Sequence, residues 1–442
     1  LSLSPHGQIA RLASEWFPTA VDVAWIGVHS ERAGPGSLFL VGDGATRLDG
    51  ALAASIPSRE LIFPEILQGS VELGGAPVSA KTTLFLANPN SHEIEVRLVA
   101  YDGHQPEPLS EEVLTLPAKG HLERRMDTLQ DSGLVDNVQV EVTRGAGAVG
   151  YQLVELGDGR SILGLSGLAR TADEHLYSAD FAVGAGLSTR LHVLHPAESN
   201  VEVPGSRARN RVNPARTDLR GVDLPASTEA SAQVADLRRK TQAVETGATF
   251  DLLLRSPEGE LIGALSHQSL PAGVSRTIDL SDLLEKSPEA PNAVTGSVEL
   301  VANRPGLIAD VIVGESRNLE FVTALPLQDR LITRASFGHI ANSSEIFTGL
   351  AVFNPATADA VIQIAVFSAA GELVDSAPLT LPGRHQRAAL LPELLPSTQG
   401  LVGGYVQLSS TIPVAAQEIF GDFQGRYYSA VPPCILASEP PN

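Results

Sequence analysis

Apolar residues along this chain recur with a period of two, in short runs closed by turn residues, and one such run is written three times. Residues 82–90 read TTLFLANPN, residues 348–356 read TGLAVFNPA, and residues 189–197 give a worn version, TRLHVLHPA. Counted back from Pro89, Pro355 and Pro196, positions three and five are aliphatic in every copy: Leu86 and Leu84, Val352 and Leu350, Val193 and Leu191. Two-residue spacing puts such pairs on one face of a strand. A recurring phrase of this kind predicts a repeat architecture.

The surrounding pattern extends the repeat. Each phrase is followed by a second alternating run (residues 94–103, 249–261 and 361–373), then by a Leu-Pro turn at Pro117, Pro271 or Pro382, then by a helix-compatible piece such as RTIDLSDLLEK. Proline suits the end of a strand because it cannot donate to the ladder. Two further strands close each unit, the last with a hairpin turn at Gly157-Asp158-Gly159, Glu315-Ser316 or Gly421-Asp422. About seven short strands in roughly 105 residues is the inventory of an immunoglobulin-like sandwich. The expected fold class is therefore all-β, an elongated tandem array of immunoglobulin-like β-sandwich repeats with one irregular insert.

Spacing sets the boundaries. Pro89 and Pro117 stand 28 residues apart and Pro355 and Pro382 stand 27 apart, against 75 between Pro196 and Pro271. The middle unit thus carries an insert at about 198–247, between its second and third strands. At the N-terminus, LSLSPHGQIARLASEWFP matches residues 114–131, with Leu1 and Leu3 on Leu114 and Leu116 and Gly7 on Gly120. The expected organisation is the second half of a unit at 1–56, full units at 57–170, 171–327 and 328–432, and a tail at 433–442 that reads as one opening strand.

Composition narrows the partners. The 31 basic residues face 51 acidic ones, a formal charge of −20, which disfavours binding to nucleic acid or anionic lipid. The single cysteine, Cys434, excludes an internal disulfide framework and a CxxC zinc site. No apolar run reaches about 18 residues, so no segment reads as a membrane span.

The candidate chemistry is thin. His192 and His195 form an HxxH, but odd spacing on a strand sends them to opposite faces, so both read as structural. The GLSGL at residues 164–168 lacks nucleophile-elbow spacing. The Gly-Asp-Gly turns starting at Gly42 and Gly157 lack the further oxygens of a calcium loop. No acid and base pair recurs from unit to unit, and no metal, cofactor or catalytic set is assigned. The insert concentrates basic residues, among them Arg207, Arg209, Arg211, Arg216 and Arg220, and reads as either a solvated loop or an arm that docks on an acidic face of another copy. Asn342, in Asn-Ser-Ser, matches a glycosylation acceptor.

With these strands and turns placed, the chain resembles the tandem immunoglobulin-like or fibronectin-like repeat modules of large bacterial secreted and cell-surface proteins. That resemblance implies a non-enzymatic role in scaffolding, adhesion or surface assembly, outside the cell. The leading expectation is a structural subunit of an extracellular filament or surface layer, with the chain itself as partner, head to tail. The alternative is an adhesin or ligand-binding ectodomain fragment of a larger secreted bacterial protein, and a further reading is that both ends are trimmed from a longer chain. In the leading reading the incomplete first unit, with Leu1, Leu3, Ile9, Trp25 and Phe39, accepts a strand from a neighbour, and Cys434, Ile435, Leu436, Ala437 and Ser438 donate it.

Overall fold

A computed structural model of the chain describes residues 3, 6–18, 25–31, 36–43, 46–73, 76–127, 134–198, 247–316 and 321–436. The insert arginines 207, 209, 211, 216 and 220 lie outside the described residues, as do Leu1, Ala437 and Ser438. The fold is nearly all β in antiparallel sheets. No helix among the described residues is long and apolar enough to cross a membrane.

The described residues of 1–56 hold helix α1 (Ala13–Trp16) and one hairpin, β1 (Leu38–Gly42) with β2 (Leu48–Leu52). The first full unit runs through β3 (Glu60–Phe63), β4 (Gly69–Leu73), β5 (Ala76–Ala87), β6 (Ile94–Tyr101), β7 (Ser110–Leu116), β8 (His121–Arg125), β9 (Asn137–Arg144), β10 (Val149–Leu156) and β11 (Ser161–Ser166). One of its sheets has the order β3-β9-β6-β7. The other is β8-β5-β10-β11, with β4 folded back on β5.

The second unit comprises β12 (His175–Val183), β13 (Leu187–His195), β14 (Ala248–Arg255), β15 (Leu261–Leu270), β16 (Val274–Asp279), α2 (Leu280–Leu283), β17 (Val294–Ala302), β18 (Ile308–Glu315) and β19 (Val322–Pro326). Its sheets are β12-β17-β14-β15 and β16-β13-β18-β19. The third unit contains β20 (Ile332–Phe337), β21 (Ile346–Phe353), β22 (Ala360–Phe367), β23 (Leu373–Leu381), β24 (Gln386–Leu390), α3 (Leu391–Leu394), β25 (Tyr405–Asp422) and β26 (Tyr428–Val431). Strand β25 passes from one sheet to the other, its first part pairing with β22 and β20 and its second with β21 and β26. A final short strand, β27 (Cys434–Ile435), pairs with β20.

Numbered within a unit, and leaving β4 aside, all three share one plan of eight strands, ordered 1-6-3-4 in one sheet and 5-2-7-8 in the other. The repeat read from the proline phrases is thus a repeat of topology. Leu84, Leu86, Leu191, Val193, Leu350 and Val352 are all at most 1% exposed, and they join residues of the facing sheet in the unit cores. The insert falls between β13 and β14, the second and third strands of its unit.

Two details differ from the sequence reading. The helix-compatible piece divides: its first half is a fifth strand (β8, β16, β24), and only about one turn of helix follows in the second and third units. The strand order also places the first and second strands in opposite sheets, whereas an immunoglobulin constant-type domain pairs them side by side. Alternation reveals which residues face inward, but it does not say which strand is whose neighbour.

The units are not strung out in a line. Outward-facing residues of the second sheet pack on the preceding unit. Ile312, Val322 and Ala324 of the second unit lie with Leu163 and Leu165 of the first, and Ala351, Phe353 and Ile419 of the third lie with Tyr177 of the second. Strand β18 is consequently buried along nearly its whole length, and a strand covered on both faces reads as a continuous apolar run. The sequence IADVIV at 308–313 carried that signal.

Candidate functional site: the ring closure and its open unit

The eighth strands of all units, including β2 of the half unit, meet in a closed cycle in which β2 touches β11 and β26 while β19 touches the same two. At the centre is Asp49, 0% exposed. Its Oδ2 accepts from the Gly164 amide at 2.7 Å, and its Oδ1 accepts from the hydroxyls of Thr323, at 3.2 Å, and Ser429. One carboxylate on β2 therefore ties together β11, β19 and β26, one strand from each full unit.

Hairpin register explains the convergence. Leu40 pairs with Gly50, Leu153 with Gly164, Ile312 with Ala324 and Ile419 with Ala430. Asp49, Leu163, Thr323 and Ser429 are then equivalent positions. The Ala430 amide donates to Thr323 Oγ1 at 3.2 Å just as Gly164 donates to Asp49, two instances of one inter-unit contact. Gly164 has no room for a side chain, since a Cβ there would stand 1.7 Å from the Tyr151 hydroxyl oxygen. Burial raises the Asp49 carboxyl to about 7, against the pull of these three donors and of the neighbouring Gly50 amide.

A second contact repeats around the same ring. The amide four residues beyond the turn proline donates to a carbonyl in the turn between the third and fourth strands of the preceding unit. Ser275 donates to Gly103 at 2.8 Å and Gln386 to Pro257 at 3.0 Å. Gln8, four beyond Ser4 at the proline position, donates to Ala369 at 3.0 Å. The half unit thus follows the third unit as the third follows the second. Gln8 is held further by side-chain bonds to Gly338 and Gly404, and His6 stacks on Phe367. On its other side the half unit reaches the first unit through Trp25 Nε1 to the Lys119 carbonyl (3.2 Å), Arg47 to the Gly159 carbonyl (2.7 Å), and the edge-on ring pair Phe39 and Tyr151. The first and last parts of the chain close a ring of four positions, three filled by complete units and the fourth by a half.

That fourth position is open. Met126, Leu280 and Leu391 follow the fifth strands of the full units and are at most 1% exposed. In the half unit the equivalent residue is Ala13, no residue of α1 is buried, and neighbouring Leu12 and Phe17 are 70% and 42% exposed. In each full unit the seventh strand lies between the second and eighth. Among the described residues β1 pairs only with β2, so the edge where a second strand belongs has no partner.

The predicted acceptor residues divide accordingly. Leu3 and Ile9 are exposed, while Trp25 and Phe39 are half-buried against the first unit. The predicted donor segment is engaged inside its own chain. Cys434 and Ile435 pair with Ser336 and Ala335, and the Leu436 amide donates to Arg334. This is the position where Leu168 meets Ile62 and Gln328 meets Tyr177, so the segment is the exit of the third unit rather than the entry of another.

The two histidines do point to opposite sides. His195 Nδ1 meets the Leu270 carbonyl at 2.9 Å, and burial holds its pKa below the ordinary value. It does the work of asparagine in the other copies, where Asn88 donates to Leu116 and Pro117 and Asn354 to Leu381 and Pro382. The Asn-Pro and Leu-Pro phrases are the two ends of one staple. His192 faces the first unit, with Asp136 at 3.5 Å and Asp310 at 3.6 Å, long for hydrogen bonds. Burial alone would lower its pKa, but these carboxylates and Glu65 hold it well above the ordinary histidine value. Beside it Arg190 pairs with Glu65, whose carboxyl burial raises to about 7. Asn342 is 2% exposed and accepts from the Thr348 amide, so the folded chain offers no room there for a glycan.

No family model matches this chain, and no curated protein matches it. Among solved structures, dimeric latent PorU from Porphyromonas gingivalis is similar at 10% identity and a TM-score of 0.16, over 81% of this chain. The chain spans 30% of that protein's length, and at that score the likeness carries no argument.

Proposed function

We propose that this chain is a structural, non-catalytic module of an extracellular or cell-surface assembly, joined to its neighbours through the open fourth position of its ring. The observation that carries this reading is the contrast between Leu391 and Leu395, sealed in the third unit, and their equivalents Ala13 and Phe17, exposed in the half unit. Contiguous exposed apolar surface beside an unpaired strand is the signature of an interface. The polar groups buried at the ring contacts, Asp49 and His192 among them, serve cohesion. The chain's own tail is engaged with β20.

Light scattering and electron microscopy of the purified chain across concentration test the proposal. Higher-order species should form and should be lost in Leu12→Asp and Phe17→Asp. A chain that stays monomeric at every concentration overturns homotypic assembly.

A further inference from the structure

We infer that the contact between the first and second units is a proton-controlled joint of the ring, closed while the His192 imidazole is protonated and loosened when it is neutral. Successive ring contacts use equivalent positions for different chemistry. Counted back from the turn prolines, His192 of β13 matches Phe85 of β5 and Ala351 of β21. Each lies opposite an outward residue of the seventh strand: His192 opposite Asp310, Phe85 opposite Tyr151 and Ala351 opposite Gln417. Tyr151 meets the ring of Phe39, and Gln417 accepts from the Ser178 hydroxyl at 3.4 Å. Of these three equivalent pairs, only His192 and Asp310 is ionisable on both sides at moderate pH.

That pair is sealed from water. His192 is 1% exposed and Asp310 0%, and Leu194, Ile308 and Ile312, two residues away along the same strands, are at most 5% exposed. The first unit presents Asp136, 3.5 Å from His192 Nε2, while Asp310 stands 3.6 Å from Nδ1. Glu65, also of the first unit, pairs with Arg190 of β13. On the other side of the ladder β16 presents the neutral Thr277. Both ring nitrogens of His192, both carboxylate oxygens of Asp310, Glu65 Oε2 and Arg190 Nε are buried without a hydrogen-bond partner. Asp49, by contrast, is satisfied by donors from every full unit. Buried charges offset their lost hydration only when geometry and hydrogen bonding are good, so this contact is the costly one and its balance rests on charge.

The charges balance in one protonation state. Below about 7 burial keeps a proton on Glu65, and the cations His192 and Arg190 then face the carboxylates Asp136 and Asp310. Burial would lower His192, but Asp136, Asp310 and Glu65 hold it well above its ordinary value. Once pH passes that raised value the imidazole is neutral, and three buried carboxylates face the Arg190 guanidinium alone. The stabilisation from His192 is therefore complete below the ordinary histidine value and is lost as pH rises through the raised one.

Hydrogen exchange on the full chain tests the joint. The Ser275 amide, which donates to Gly103, reports on the contact between first and second units, and the Gln386 amide, which donates to Pro257, on that between second and third. Burial raises Asp180, at the latter contact, to about 7, as it does Glu65. Both are ionised throughout the window from about pH 7.5 to about pH 9.5, which leaves His192 to titrate. After correction for intrinsic exchange rates, protection at Ser275 should fall about tenfold or more across that window, the ratio set by one unit of pKa, while protection at Gln386 stays level. His192→Ala with Asp310→Gln installs the Ala351 and Gln417 pair and should hold Ser275 protection level with pH. The comparison of the two amides in the unaltered chain stands without the variant. A fall at both amides alike, a fall at neither, or a fall at Ser275 that survives in the folded double variant overturns the joint.

Discussion

The third unit and the N-terminal half unit share the same closing hairpin, the same inter-unit amide bond and equivalent residues at the ring centre, Ser429 and Asp49, yet they differ in burial. Leu395 in the third unit is 1% exposed, and Phe17, at the equivalent position of the half unit, is 42% exposed. The amphipathic pattern is alike in both. Among the described residues, strands one to four cover it in the third unit and no equivalent strand covers it in the half unit. Local pattern specifies which side chains seek a core, and the neighbouring strands decide whether one exists.

Substitutions can break this comparison. The largest effect is expected at Asp49→Leu, which leaves the Gly164 amide and the Thr323 and Ser429 hydroxyls buried without their acceptor. At about 1–3 kcal/mol for each orphaned group, the loss should exceed about 3 kcal/mol in denaturant unfolding, with Asp49→Asn much milder. Next, Leu395→Ala empties a packed position and should cost about 3 kcal/mol, whereas Phe17→Ala at the equivalent exposed position should stay within about 0.5 kcal/mol. Equal effects at these two positions would mean the half unit is covered after all. Asn354→Ala, which cuts the staple between the end of the second strand and the turn after the fourth strand of the third unit, should cost about 2 kcal/mol, and Asn354→His should recover part of it, as His195 does in the second unit.

The smallest expected signal is in pH. Asp49 and Glu65 are raised to about 7 in the fold, so the folded state binds their protons more tightly than the unfolded chain. Stability from these groups falls as pH rises from about 4 to about 7 and is level above. His192 acts in the same sense, its contribution complete below the ordinary histidine value and lost as pH rises through its raised one. These three groups should therefore raise the melting temperature on going from pH 8 to pH 5, opposed by His195 and His339, whose burial lowers them, His339 to about 4. Asp49→Asn should flatten part of that slope, and an unchanged slope would remove Asp49 from the account.

Much of this fold was legible in the sequence. Proline phrases located the second strands, their alternation gave the inward residues, and unequal proline spacing placed the insert. The fifth strands were hidden because QRAAL and VSRTID run straight into helix-compatible residues. The ring was hidden because its closing contacts join residues hundreds of positions apart, as Gln8 with Ala369 and Asp49 with Ser429. Nothing local marks Asp49: Leu-Asp-Gly reads as a turn, and only the eighth strands of three other units make it a buried hub. The candidate site was half visible. The incomplete first unit was expected as an acceptor, but the tail assigned as its donor completes a sheet of its own.

The central claim is that one chain closes a ring on itself, and its lone cysteine allows a direct measurement. A Cβ built on Gly36 would stand 2.8 Å from Cys434 Sγ and 3.3 Å from its Cβ, close to the separation a disulfide requires. Gly36→Cys, oxidised in dilute solution, should yield a monomer with an internal crosslink between residues 36 and 434, seen as faster migration on non-reducing gels and as loss of both free thiols. Crosslinks that form only between molecules, or two thiols that remain free, would contradict the closed ring.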